Sequence, residues 1–254
     1  MKLRVLAAIA VLVALLGLLA RCPTSAGQLE SDVRDLPGVL AVSAGEAEGD
    51  DAIPFMNIPK EVQVRMTASS TADQVFDVVS AYDDEGKNLN GVQITFRGRP
   101  HVAFYGQNVS HAMINDVVAA RDDPGVRSYQ MTGSADGFWL QMTVTPRPLA
   151  ELVAAMEQRR AIPGSEDIDV STALGRGVIW DPLNDNLAVT RARIDFALEM
   201  DEHVPLAGAA IGGRGPLALF VEDAQLSRAI AYVKRHRTAE MRRVLINPHG
   251  DPPW

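Results

Sequence analysis

Three short segments of the chain are predicted as strands, and each is followed by apolar side chains at helical spacing. Residues 62–66 and 140–144 alternate apolar and polar side chains, and the third segment, residues 217–221, has apolar side chains throughout. Strict alternation is typical of a strand with one buried face, and apolar residues at relative positions 0, 3, 4 and 7 share one face of a helix. The helical faces predicted in this way are Val75, Val78, Val79 and Tyr82; Leu149, Leu152, Val153 and Met156; and Leu226, Ala229, Ile230 and Val233.

These pairs of strand and helix recur at a constant spacing, because their strands begin 78 and 77 residues apart. A turn containing Pro-Gly stands upstream of the first two strands, at residues 36–39 and 123–126. The two turns are 87 residues apart, nine more than the strands. We therefore predict an insertion of nine residues in segment 45–60, which is rich in Gly, Asp and Pro as loops are.

Further helices are predicted around Leu29, Ile114 and Ile194, and further strands at residues 92–96, 101–105, 168–171, 177–180 and 244–246. In chain order the elements form β-α-β-β-α-β twice, after a first copy that lacks its opening strand. This is the order of the split βαβ, or ferredoxin-like, motif. We therefore predict an α+β fold of three tandem ferredoxin-like modules, the first incomplete, each with one sheet face free for partners. The predicted boundaries are 27–99, 100–175 and 176–248, with a tail at 249–254.

The αββαβ part of this order resembles the ring-building modules of secretion and sporulation proteins, which follow an N-terminal membrane segment. The resemblance lies in the order of elements over most of the chain. It implies an assembly role beside a membrane.

The first 26 residues have the three-part pattern of a secretory signal. Lys2 and Arg4 are positive, residues 5–20 have no polar side chain, and residues 24–26 offer small side chains at a cleavage site. We expect a cleaved signal peptide, with an uncleaved membrane anchor as the alternative. Cys22 lies where a bacterial lipoprotein would carry its lipid, but Arg21 before it breaks that pattern. The predicted location is therefore extracytoplasmic: secreted, or anchored at the outer side of the cytoplasmic membrane.

Charge and cysteine content narrow the classes of partner. Without the three basic residues of the export segment, 21 basic side chains stand against 32 acidic ones, a charge of −11. Such a chain lacks the distributed basic surface that nucleic-acid binding requires. Cys22 is the single cysteine, so the rest of the chain can form neither an internal disulfide nor a thiolate metal cluster.

Reactive-residue motifs are absent from the sequence. The five histidines, at positions 101, 111, 203, 236 and 249, have no spacing that places two on one helix face. Signatures of the nucleophile elbow, the zincins and the P-loop are missing, and we predict no catalytic residue, metal or cofactor. Asp167 and Asp169 share a strand face, where paired carboxylates could perform acid–base chemistry. A solvated strand face is the interpretation that we favour for them.

A basic stretch near the end of the chain stands out against the acidic remainder. It comprises Lys234, Arg235, Arg237, Arg242 and Arg243. Basic residues complement the dipole at a helix C-terminus, and they protect an edge strand from aggregation. The alternative is a weak binding patch for an anionic envelope polymer or lipid headgroups.

From these patterns we expect a non-enzymatic extracytoplasmic envelope protein that acts as a protein-interaction or assembly scaffold, with a protein partner or with itself. The alternative is a secreted enzyme or a small-ligand-binding protein with its site between modules. A deep polar pocket would favour the second hypothesis, and an open apolar sheet face or a free edge would favour the first.

Overall fold

The structure is a computed structural model of the 254-residue chain, and it describes residues 25–46, 60–82, 89–107, 109–133, 137–172, 177–181, 187–212, 216–238, 241 and 243–248. Nearly all of the predicted export segment, including Cys22, lies outside these residues, as do Arg242, His249 and most of the predicted insertion. Among the described residues, no helix has both the length and the apolar character needed to span a bilayer.

Six α-helices are found in the described part of the chain. They are α1 (Ala26–Arg34), α2 (Ala72–Ser80), α3 (His111–Asp122), α4 (Leu149–Arg160), α5 (Leu187–His203) and α6 (Leu226–His236). Side-chain caps start several of them: Ser110 accepts from the backbone N–H of Met113, and Thr71 forms a reciprocal capping box with Gln74. Capping of this kind satisfies N–H groups that have no partner within the helix.

Eleven strands of the described residues form a single sheet. They are β1 (Val39–Glu46), β2 (Lys60–Met66), β3 (Leu89–Phe96), β4 (Arg99–Gly106), β5 (Val126–Gly133), β6 (Phe138–Val144), β7 (Ser165–Thr172), β8 (Gly177–Asp181), β9 (Gly208–Gly212), β10 (Leu217–Phe220) and β11 (Val244–Ile246). Their order across the sheet is the order along the chain. A mixed fold of helices with a sheet is therefore confirmed.

Antiparallel and parallel neighbours alternate across the sheet. The pairs β1–β2, β3–β4, β5–β6, β7–β8 and β9–β10 are antiparallel, whereas α2 to α6 each connect two adjacent parallel strands. The repeating unit is one helix followed by one antiparallel strand pair. Strands β2, β4, β6, β8 and β10 begin at residues 60, 99, 138, 177 and 217. The repeat is thus about half as long as the spacing seen in the sequence.

This strand order contradicts the prediction of ferredoxin-like modules. In a split βαβ motif another strand lies between the two strands that the helix connects. Here the connected strands are direct neighbours, as in β2–β3 and β6–β7. The sheet also continues across the predicted module boundaries, because β3 pairs with β4 and β7 pairs with β8. The division into folding units at residues 99 and 175 stays a prediction.

The insertion predicted in the first strand pair agrees with the strand bounds. Thirteen residues separate β1 from β2, whereas four separate β5 from β6. The difference is the nine residues expected from the sequence. The Pro-Gly turns also precede strands as predicted, and Gly38, with φ of +88°, adopts the left-handed conformation that favours glycine.

One face of the sheet is covered by the helices and contains the core. A row of directly paired residues crosses β2 to β9 on this face, and all of its members are buried: Val64, Ile94, Phe104, Met131, Leu140, Ile168, Trp180 and Ile211. Buried side chains of all six helices join the same core. The predicted faces of α2 and α4 are buried throughout, but Ile230 of α6 is 53% exposed.

Candidate functional site

The second face of the sheet exposes polar side chains from β1 to β7. One row of paired residues runs Ser43, Gln63, Gln93, Tyr105, Thr132, Trp139 and Asp167, and a second runs Ala41, Arg65, Thr95, Ala103, Gln130, Gln141 and Asp169. These side chains are exposed or half-buried. Sheets with parallel pairs usually have both faces covered, so a polar open face beside three parallel pairs is unusual.

A groove of about 670 Å³ lies in the middle of this open face, over strands β3 to β7. Its floor includes the amides of Gln93, Gln130 and Gln141 and the hydroxyls of Ser128 and Ser171. A smaller groove of about 310 Å³ continues over β1 to β3, and the two grooves share Gln93. The two grooves are therefore neighbours on the open face, and together they extend over seven strands.

Asp169 is the acidic side chain on the groove floor. Its Oδ1 atom is buried and has no hydrogen-bond partner among the described residues. Burial, and secondly the negative charge of Asp167, raise the pKa of the Asp169 carboxyl to about 6. The Asp169 side chain as a whole is half-buried and lines the groove, and an acceptor without a partner gains free energy when a donor reaches it.

Two aromatic side chains lie on the same face beside the groove. Trp139 of β6 is 43% exposed, between Thr132 and Asp167 in its row. Tyr105 of β4 reaches across β3 and donates a hydrogen bond from its hydroxyl to Glu61 Oε1 of β2, at 3.1 Å. Its ring lies over Gly91, where a Cβ atom would come within 2.6 Å of the ring. Glycine at position 91 thus leaves room for the tyrosine ring to lie against the strand.

A second polar cluster lies on the covered side and is enclosed by the core. The Tyr129 hydroxyl donates to Asp116 Oδ2 at 2.7 Å, and Arg159 Nε lies 3.0 Å from the same oxygen. Burial, together with the carboxylate of Asp116, raises the pKa of Tyr129 well above its usual range. The cluster connects α3, α4 and β5, and its enclosure by core side chains gives it a structural role.

The predicted basic patch is separate from the groove. Lys234 and Arg235 are exposed in the last turn of α6, Arg237 is its exposed C-cap residue, and Arg243 is exposed before β11. Arg242 lies outside the described residues. Whether these side chains bind an anion stays a prediction.

The histidines are scattered over the described structure. His101 lines the groove, and His111 stacks on Phe76 with ring centres 3.6 Å apart. His203 and His236 both contact the ring of Tyr232. Within the described ranges, no three His, Cys, Asp or Glu side chains form a group that could hold a metal ion.

Sequence reasoning missed the groove, although a signal was present. Gln63, Gln93, Gln130 and Gln141 occupy the polar positions of alternating strands. The side chains at those positions are neutral amides, which both donate and accept hydrogen bonds. A strand face that only contacts solvent is usually rich in Lys and Glu instead. Only Asp167 and Asp169 were singled out, and the structure places both on the open face beside these amides.

Comparisons of the chain with protein-family models, with curated proteins and with solved structures found no significant match.

Proposed function

We propose that this chain is a non-enzymatic extracytoplasmic binding protein whose recognition surface is the open face of its sheet. One observation carries the proposal: the 670 Å³ groove lined by amide and hydroxyl side chains on an uncovered face. This proposal makes the expected scaffold role more specific, because it names the surface to which the partner binds. The αββ repeats hold a long surface rigid, and the partner binds that surface.

The free edge of β1 is a weaker candidate for the recognition surface. Edge strands pair with other chains through free backbone groups. In β1, however, the backbone N–H of Ala44 already donates to Glu30 Oε1 at 3.1 Å. Helix α1 thus occupies part of the edge, and this favours the face.

A secreted enzyme is the second candidate, and the pKa of Asp169 favours it. A carboxyl with a pKa of about 6 can exchange a proton near neutral pH, as general acids do. Catalysis on this face would convert the bound ligand, whereas a binding protein returns it unchanged. Analysis of the ligand after prolonged incubation with the protein separates the two.

The extracytoplasmic location is proposed from residues 1–26 alone and is tested by cell fractionation. The charged start, the apolar run and the small residues at 24–26 favour export. Recovery of the full-length chain in the cytosol of its native host would contradict it.

Site-specific photocrosslinking tests the recognition surface. A photoreactive amino acid replaces Gln141 on the open face or, as the matched control, Gln158, an exposed glutamine on α4. In the native host we expect a crosslinked product at position 141 and none at 158. Equal crosslinking at both positions, or crosslinking at 158 alone, would contradict a specific role for the open face.

A further inference from the structure

The groove floor offers donors and acceptors in a fixed pattern. Gln130 and Gln141 pair directly across β5 and β6, and Asp169 follows them in the same row on β7. Ser128, Thr143 and Ser171 belong to the neighbouring row, and the hydroxyls of Thr143 and Ser171 lie 3.5 Å apart. Each amide and hydroxyl both donates and accepts, whereas the carboxylate accepts only. A complementary ligand must therefore present both kinds of group at high density.

Three ligand classes fit this floor poorly. An apolar ligand would leave the amides and the Asp169 oxygen without partners, which costs binding free energy. An anionic ligand would meet Asp167 and Asp169 on a chain with an overall charge of −8, and among the described residues that line the larger groove there is no Lys or Arg. An extended peptide gains most of its affinity from backbone hydrogen bonds at a sheet edge, and on a sheet face the strands already pair with each other.

The aromatic side chains add a stacking surface at the groove margin. The backbones of Tyr105 and Trp139 lie two strands apart in one row, roughly 10 Å at the usual strand spacing. The Tyr105 ring extends from there across β3 toward β2, on the side away from Trp139, so Trp139 is the ring nearer to strands β5 to β7. The indole of Trp139 is exposed, and the ring of Tyr105 is held by Gly91 and Glu61. Rings with an apolar face and a polar tip suit ligands that alternate C–H faces with hydroxyl groups.

We infer that the groove binds a neutral glycan, as an extended chain lying across strands β4 to β7. This inference rests on the proposed function, because it names the ligand class of the same face. Sugar hydroxyls would pair with Gln130, Gln141 and Asp169, and a sugar ring would stack on Trp139. A ligand without charge meets no repulsion from Asp167 and Asp169, and its hydroxyl groups can donate to Asp169 and both donate to and accept from the amides.

Calorimetric titration of the full chain tests the inference. Two uncharged hexasaccharides, maltohexaose and fully N-acetylated chitohexaose, are compared with three other compounds. These are a cationic chitosan hexamer, an anionic galacturonate hexamer and an uncharged glycine-serine hexapeptide. We expect at least one uncharged hexasaccharide to bind more tightly than the other three compounds. Replacing Gln141 by Leu or Trp139 by Ala should weaken that binding by ~10-fold or more, because each change removes a direct contact.

Gln158→Leu is the matched control, since it makes the same exchange on the outer surface of α4, and it should leave the affinity unchanged. A thermal unfolding curve for each variant separates lost binding from lost folding. Preference for a charged hexamer or the peptide, or equal loss in the Gln158 variant, overturns the glycan inference. If no hexasaccharide binds while position 141 still crosslinks to another molecule, the inference fails and the proposed function stands. If neither occurs, both fail.

Discussion

The two faces of this sheet have the same strands and the same register but opposite chemistry. On the covered face, one row of paired residues from β2 to β9 is buried at every position. The sequence neighbours of these buried residues lie on the open face, where they form a row that contains Thr95, Gln130, Gln141 and Asp169. Because side chains of a strand alternate between faces, a single backbone supports both rows.

The difference between the faces lies in how polar groups are satisfied. Within the core, Asp116 binds Tyr129 and lies next to Arg159. At the edge of the core, the buried guanidinium of Arg121 donates to the backbone oxygen of Ser70 and lies over the ring of Phe96. On the open face, one oxygen of Asp169 has no such partner among the described residues. If the open face is the recognition surface, as proposed, stability and recognition lie on two different surfaces, and changes to each should have different effects.

The largest effect is expected on the covered face, from the change Arg159→Met. Both Arg159 and Asp116 are buried, so removing the guanidinium leaves a carboxylate in the core without its counter-charge. Breaking a buried pair in this way costs about 3 to 5 kcal/mol of unfolding free energy. Urea denaturation followed by circular dichroism measures the loss.

The exposed pair Arg191–Asp195, with its atoms 3.8 Å apart, supplies the matched control. Arg191→Met should change the unfolding free energy by less than about 1 kcal/mol, because exposed pairs contribute little. If Arg159→Met costs no more than Arg191→Met, the buried cluster does not hold α4 and α3 together and the proposed contrast between the faces is lost.

Strand and helix positions could be predicted from the sequence because burial on one side leaves a periodic pattern. The face Leu149, Leu152, Val153 and Met156 is buried throughout, as predicted. Ile230 was misassigned, since α6 lies near the end of the sheet with β11 of only three residues beside it. A helix at the margin buries a narrower stripe than the spacing alone suggests.

The strand order could not be predicted, because β-α-β-β-α-β describes both a split motif and the sequential sheet. The choice depends on whether the second strand of each parallel pair lies directly beside the first, and local periodicity does not record that. One signal was overlooked: Pro163-Gly164, before β7, lies 39 residues after Pro124-Gly125, before β5. This spacing reveals the single αββ repeat.

The groove could not be predicted for a related reason. Its floor combines Gln93 of β3 with Gln141 of β6 and Asp169 of β7, which are far apart in the sequence. Only the register of the intervening strands places them on one surface. The amides were visible as polar positions, but their convergence depends on the strand order.

A smaller effect, on the open face, is expected from Asp169→Asn. The pKa of Asp169 is raised to about 6 from an ordinary 3.8, so the folded chain binds the proton more tightly than the unfolded chain does. The carboxylate therefore lowers stability increasingly as pH rises from about 4 through 6, and the cost is complete above that range. The asparagine variant should be more stable at pH 8 by on the order of 1 kcal/mol, after discounting for the partial exposure of the site.

Thermal unfolding at a series of pH values between 3.5 and 8 measures this prediction, and the advantage should vanish near the acidic end. The variant Asp167→Asn tests the cause of the raised pKa. Removing the negative charge of Asp167 should lower the pKa of Asp169, so the pH range over which stability falls should move to lower pH. A variant that is less stable than the natural chain at pH 8 would mean that the carboxylate makes a favourable contact in the folded state.

The smallest effect is expected at the basic stretch, which belongs to neither face. Changing Lys234, Arg235, Arg237, Arg242 and Arg243 to Gln should alter stability by only about a few tenths of a kcal/mol per residue, because exposed charges at a helix end interact weakly with its dipole.

The same five changes should abolish retention of the protein on an immobilised anionic polymer such as heparin. Retention of the unmodified chain should itself be weak and confined to low salt, since the net charge of −8 repels the polymer and local attraction is screened within about 8 Å at physiological salt. An immobilised polymer without lipid is preferable to vesicles, because the apolar residues 5–20 would enter a bilayer without help from the patch. No retention of the unmodified chain at low salt would assign the cluster to helix-end and edge chemistry alone, and retention that survives all five changes would place the contact elsewhere on the surface.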